Sequence, residues 1–153
     1  MESILINGNG SYPEGTPLSA LNEFYAAFNH RDLQRMSGVW LQTNEASMDN
    51  PLGGIARSWN EISALYAKLF HSDAQIRVEF FDYSLHEHGD IFLAVGRERG
   101  EFERHGIAFP LAIRTSRIFA RVNGRWQQLH HHGSFDDPKA LARYQEAVTG
   151  KAA

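Results

Sequence analysis

Residues 114–134 read Arg114-Thr-Ser-Arg-Ile-Phe-Ala-Arg-Val-Asn-Gly-Arg-Trp-Gln-Gln-Leu-His-His-His-Gly-Ser134. Asn123-Gly124 between two β-rich runs signals a two-residue hairpin, because a type I′ turn needs positive φ at both central positions. Side chains alternate faces along a strand. Alternation puts Trp126, Gln128, His130, His132 and Ser134 on one face of the second strand and Gln127, Leu129 and His131 on the other. In the first strand Arg114, Ser116, Ile118 and Ala120 share a face, opposite Thr115, Arg117, Phe119 and Arg121. A face that mixes indole, imidazole, hydroxyl and guanidinium groups has the make-up of a pocket lining rather than of a plain core.

Outward from this hairpin, the whole chain has the size of one domain. It is 153 residues long with 42% apolar and 12% aromatic residues, enough for a single sizeable core. The formal charge of −3 argues against a general nucleic-acid-binding field. There is no cysteine, so disulfides, thiolate catalysis and Cys-based zinc sites are excluded. No apolar run approaches membrane-spanning length, and the N-terminus lacks a basic-then-apolar leader pattern, so a cytoplasmic protein without membrane contact is expected.

Residues 1–15 are rich in Gly, Asn and Ser around Ile4-Leu5-Ile6, and read as a flexible arm or a short strand laid on a neighbour; the arm is the expectation. The domain proper spans 16–150. Thr16 and Pro17 open a helix whose stripe is Leu18, Leu21, Phe24, Tyr25 and Phe28. A second, starting near Asp32, carries Leu33, Met36 and Trp40. Leu21, Leu33 and Met36 suit plain core packing. Tyr25 and Trp40 also carry polar atoms that need partners, which suits a cavity wall. Residues 45–50 form a short strand ended by Pro51-Leu-Gly-Gly54, and Ser58-Trp-Asn-Glu61 is a capping box for a helix to Phe70.

Strands follow at 75–86, 91–99 and 107–122, then the second strand of the hairpin. A bulge is expected near Phe80-Phe81, a polar connection over 100–106, and an edge or bulge at Pro110. Asp136-Asp137-Pro138 opens a last helix with Leu141, Tyr144 and Val148 on one face. The order predicts an α+β fold: helices on the concave face of a strongly bent antiparallel sheet, built as a four-strand meander with one early strand added.

Asp49-Asn-Pro-Leu-Gly-Gly54 before a capped helix, then Gly124-Arg-Trp126 followed by His130-x-His-x-Ser134, resembles the nuclear transport factor 2-like superfamily. The closer likeness is to its SnoaL-like branch, with the kinase association domain as a relative. The resemblance covers about residues 17–135. It implies a cone-shaped, cystatin-like fold with a pocket inside the cone and a homodimer through the outer sheet face. The superfamily holds isomerases, polyketide cyclases, dehydratases and non-catalytic association domains, so fold does not settle function. Ketosteroid isomerase chemistry needs a base carboxylate, an oxyanion Tyr and a protonated Asp. Aligned on the flanking motifs, those positions fall on Asn50, Phe24 and Ser116, which argues against that chemistry here.

The candidate catalytic groups are His130, His132 and Arg114. A His can serve as general acid or base near neutral pH. An arginine inside a cone must be paired, either by an internal carboxylate such as Glu79 or Glu98 or by an anionic ligand held bidentately. Tyr25, Trp40, Asn50, Tyr66, Ser116, Trp126 and Gln128 complete the expected ligand-binding set. No cofactor or metal is expected, since a metal would need His86, His88 or a carboxylate to join the pair. An apolar strip of Thr115, Phe119 and Leu129 on the opposite face is expected to seat a second copy. The function expected is binding of, or acid/base chemistry on, a carbonyl-bearing apolar or anionic small molecule. The alternative is a homo-oligomeric association module.

Overall fold

The computed structural model describes residues 4–149. The element order is α1 Pro17–Asn29, α2 Leu33–Val39, β1 Ser47–Asp49, β2 Ile55–Arg57, α3 Ser58–His71, β3 Gln75–His88, β4 Ile91–Arg104, β5 Ile107–Val122, β6 Arg125–Phe135 and α4 Pro138–Thr149. One six-stranded sheet runs β2-β1-β6-β5-β4-β3. The fold is α+β, an open bent sheet with helices on its concave side. Among the described residues no helix is long and apolar enough to cross a membrane.

Local chemistry sets the element ends. Thr16 Oγ1 accepts from the Ser19 amide and Asp32 Oδ1 from the Arg35 amide, so both N-terminal helices begin on side-chain caps. The capping box of α3 is shifted by one residue. Ser58 Oγ accepts from the Glu61 amide, but Glu61 Oε2 reaches back to the Arg57 amide. The Arg31 guanidinium then ties the α1–α2 turn to the end of α3, donating to the carbonyls of Phe70 and Ala74 at 2.9 and 2.6 Å. A cation there satisfies carbonyls a helix C-terminus leaves open.

The hairpin forms as expected, with Asn123 at φ 53 and Gly124 at φ 77 between β5 and β6. The bulge foreseen near Phe80 lies just beyond it: the β3–β4 register shifts between Phe81 and Ser84, with Asp82 at φ 47. Pro110 pairs only with Glu101 of β4, because β6 first meets β5 at Ile113, so its missing N–H faces no partner strand.

Three details differ from the sequence reading. β4 continues through 100–104, leaving only His105-Gly106 to turn. Phe102 is fully buried there, and a Cβ on Gly100 would lie 1.8 Å from the Arg77 carbonyl oxygen, so glycine permits the close pairing of β3 with β4. Ile55–Arg57 forms an extra strand, too short to leave a periodic pattern, and β1 joins β6 in parallel at the end of an otherwise antiparallel sheet. Ile6 exchanges two backbone hydrogen bonds with Phe80 and is fully buried, so this residue of the expected flexible arm is laid on β3. Asn29 extends that cover through bonds to Val78 N and O, which protects the β3 edge. Residues 1–3 of that expectation lie outside the described residues, as does 150 at the far end.

Candidate functional site

The phase of β5 decides which groups enter the cone. Phe109, Leu111, Ile113, Thr115, Arg117 and Phe119 are buried, whereas Arg114 is exposed and Ser116 half-buried. Arg117 is therefore the internal arginine, not Arg114. A second shift acts on β6: Ile118 pairs with His130 but Phe119 with Gln128, leaving Leu129 as a bulge. Trp126 and Gln128 face inward before the bulge. After it His131, Gly133 and Phe135 face inward, and His130, His132 and Ser134 turn to the outer face. One inserted residue exchanges the faces of everything beyond it.

Inside the cone lies a cavity of about 290 Å³, walled by apolar side chains such as Phe28, Leu65, Leu69, Ile76, Leu111 and Ile113. Its polar end is built on Arg117, Glu98 and His131, all buried. Arg117 Nη2 donates to Glu98 Oε1 at 3.0 Å, Nη1 to Gln128 Oε1 at 2.8 Å and Nε to the Tyr25 hydroxyl at 3.3 Å. Thr115 Oγ1 donates to the same Glu98 oxygen at 2.7 Å. The guanidinium lies 3.7 Å from the centre of the Phe24 ring. Burial works against the Arg117 charge, but Tyr25, Glu98 and Tyr66 outweigh it and raise its pKa further. Burial also raises Tyr25 and Tyr66 well above the ordinary phenol value, so both stay neutral.

Trp40 Nε1 and Gln128 Nε2 are buried without a hydrogen-bond partner, and His131 is left so at both ring nitrogens. Burial, followed by the nearby Arg117, His130 and His132, pushes its pKa well below 6.5, so the imidazole is neutral at pH 7. A neutral imidazole carries one N–H and one lone pair. Gly133 makes room for it: a Cβ there would come within 3.1 Å of His131 Nε2. Orphaned buried polar atoms are uncommon and call for a partner.

Of the other expected ligand residues, Tyr66 and Asn50 line this cavity. Tyr25 and Gln128 stand behind it as partners of Arg117, and Trp40 is fully buried with its ring 6.3 Å from Tyr66. Trp126 sits at another part of the core, edge-on to Phe92 at 4.9 Å. α4 lends Tyr144 and Val148 to the cavity wall. Tyr144 packs on Phe102, Phe109 and Phe135, Gln145 Nε2 donates to the Leu52 carbonyl, and Arg104 donates to the Val148 carbonyl. Burial pushes the Tyr144 hydroxyl up to about 12.

Arg114, Ser116 and His132 meet on the other side of the sheet, in an open groove of about 480 Å³. Asp136 holds Arg97 at 2.9 Å and Arg114 at 3.0 Å; Asp49 Oδ2 lies 2.8 Å from His132 Nδ1, and Ser47 Oγ 2.7 Å from His130 Nδ1. Asp49 thus points away from the cone, as alternation around Asn50 requires. Thr115 and Phe119 are buried inside, so the apolar outer strip expected with Leu129 does not form. Among the described residues no group of three His, Cys, Asp or Glu side chains converges.

The SnoaL-like domain family matches residues 18–138, most of the chain and both faces just described. The chain belongs to that family. No curated protein matches it. Solved structures share the fold of this SnoaL-like domain at low identity. A dehydratase candidate of the NTF2-like family from Streptomyces avermitilis is 21% identical, covers 76% of this chain and 91% of its own, and has a TM-score of 0.70. A candidate calcium/calmodulin-dependent protein kinase type II association domain from Thiobacillus denitrificans is 21% identical over 84% of this chain and 100% of its own, TM-score 0.68. A protein with a cystatin-like fold from Caulobacter vibrioides is 15% identical over 86% and 94%, TM-score 0.65.

Proposed function

We propose that this SnoaL-like domain binds a small, mainly apolar molecule inside the cone, with His131 as the polar contact that can take or give a proton. The supporting observation is a buried imidazole whose two nitrogens have no partner, beside a cavity of about 290 Å³. The neighbouring Arg117–Glu98 pair supplies a fixed dipole at the same end. The likeness to a dehydratase candidate agrees with acid/base work on such a molecule.

A thermal-shift screen of apolar alcohols, ketones and carboxylates tests this reading. A ligand at a hundred times its dissociation constant adds about 2.7 kcal/mol of stability. Leu65 lines the cavity and is 38% exposed, so Leu65→Trp can fill the site without a buried clash. The hit should vanish in Leu65→Trp and persist in Arg114→Ala and His132→Ala. A hit lost in the latter two but kept in Leu65→Trp would move the site to the outer groove. A folded homo-oligomer with no hit would favour an association module, as the likeness to the kinase association domain candidate suggests.

A further inference from the structure

We propose that α4 is a hinged gate: it swings away from the sheet about the Asp136–Asp137 junction to widen the cavity inside the cone, and Arg104 and Gln145 latch it shut. As the gate of a ligand site it rests on reading the cone as that site. Moving this one helix removes Tyr144 and Val148 from the cavity wall and breaks no strand pairing. The match to the SnoaL-like family ends at residue 138, where α4 begins, so the helix lies outside the matched domain. α1, α2 and α3 each contain at least two buried residues, whereas α4 contains none. Elements with little buried surface open at a lower free energy than the rest of a domain.

The hinge lies between a residue fixed to the sheet and one fixed to the helix. The Asp136 amide donates to the Ala112 carbonyl at 3.2 Å, and its carboxylate holds Arg97 and Arg114. Asp137 belongs to α4: its Oδ1 accepts from the Lys139 amide and its carbonyl from the Leu141 amide. The latches are at the other end. Arg104 Nη1 donates to the Val148 and Ala147 carbonyls at 2.9 and 3.3 Å, groups that a helix C-terminus leaves open, while Asp73 holds its Nε at 2.8 Å. Gln145 Nε2 donates at 2.9 Å to the Leu52 carbonyl, on the turn between β1 and β2. Among the lining residues only Leu65 and Lys68 of α3 are exposed, so the cavity meets water there. Displacing α4 enlarges that opening from a second helix.

Thiol accessibility tests the gate without a ligand. The chain has no cysteine, so Leu111→Cys puts a single thiol on the buried cavity wall, and Ile113→Cys serves if that variant does not fold. Its reaction with dithiodipyridine should run about tenfold faster with Arg104→Met added, and severalfold faster with Gln145→Ala added, as each latch loses its hydrogen bonds. Arg35→Met, which touches neither latch, should leave the rate unchanged. Below the unfolding transition the rates should hardly depend on urea, as local opening exposes little surface. Equal rates in all variants, or rates that follow global stability across urea, overturn the gate. α-Tetralone then connects the gate to binding. In Leu52→Cys with Gln145→Cys, closing the pair with a short bis-methanethiosulfonate should slow association and dissociation, followed by NMR exchange, by about tenfold or more, and reductant should restore both. Rates untouched by the cross-link overturn the gate and leave the cone as the site. A thiol that responds to both latches, in a protein that binds no α-tetralone, supports the gate and counts against the cone as the ligand site.

Discussion

Arg117→Met will destabilise the domain by about 3–5 kcal/mol, because it leaves Glu98 as a buried charge without its counter-ion. The side chains of the pair are 1% and 7% exposed, so water cannot replace the lost partner. Gln128 Oε1 and the Tyr25 hydroxyl lose a donor at the same time. For a domain of this size the melting temperature should drop on the order of 10 °C. The double variant Arg117→Met with Glu98→Leu should recover most of the loss, since removing both charges is far cheaper than removing one. The contrast is Arg35, whose bridge to Glu23 is 41% and 46% exposed. Arg35→Met should cost no more than about 1 kcal/mol. Urea unfolding of the three variants checks these values; an Arg117→Met loss as small as that of Arg35→Met would contradict the buried pair.

Stability should also fall as the pH is lowered through the histidine range, and His131 should account for the fall. Its folded pKa lies well below 6.5, the unfolded value, mainly because burial penalises the charged ring. Arg117 from β5 faces it, His130 and His132 flank it on β6, and Glu98 from β4 shares the cavity. Between the two pKa values the unfolded chain holds one more proton than the folded chain, so acid favours unfolding. The contribution is complete above the unfolded pKa and is lost on going down from it, at up to about 1.4 kcal/mol per pH unit. His131→Leu should flatten the profile measured by thermal unfolding over that range. Parallel curves for the two proteins would show that the ring is not buried neutral.

Periodicity and turn chemistry made most of the fold legible. Asn123-Gly124 placed the hairpin, Thr16-Pro17 and Asp32 the first helices, and Pro110 an unpaired stretch of strand edge. The site was legible in kind but not in phase. An internal arginine paired with Glu98 was foreseen, yet assigned to Arg114 when Arg117 takes that place. The signal lay earlier in β5: Phe109, Leu111 and Ile113 share the parity of Arg117, while Ala108, Pro110 and Ala112 share that of Arg114. The bulge at Leu129 left no such mark. In a run of three histidines each register looks equally polar, so only pairing with β5 and β1 settles which imidazole turns inward. β2 was missed because three residues cannot display a period.

The claim that the cone, and not the outer groove, holds the ligand is tested most directly by mapping NMR shifts on adding α-tetralone. Changes are expected at the methyl groups of Leu65, Ile76, Leu111 and Ile113 and at the His131 ring, with Val95, Gly96 and Ser116 of the outer groove unmoved. Shifts confined to Val95, Gly96, Ser116 and His132 would contradict it.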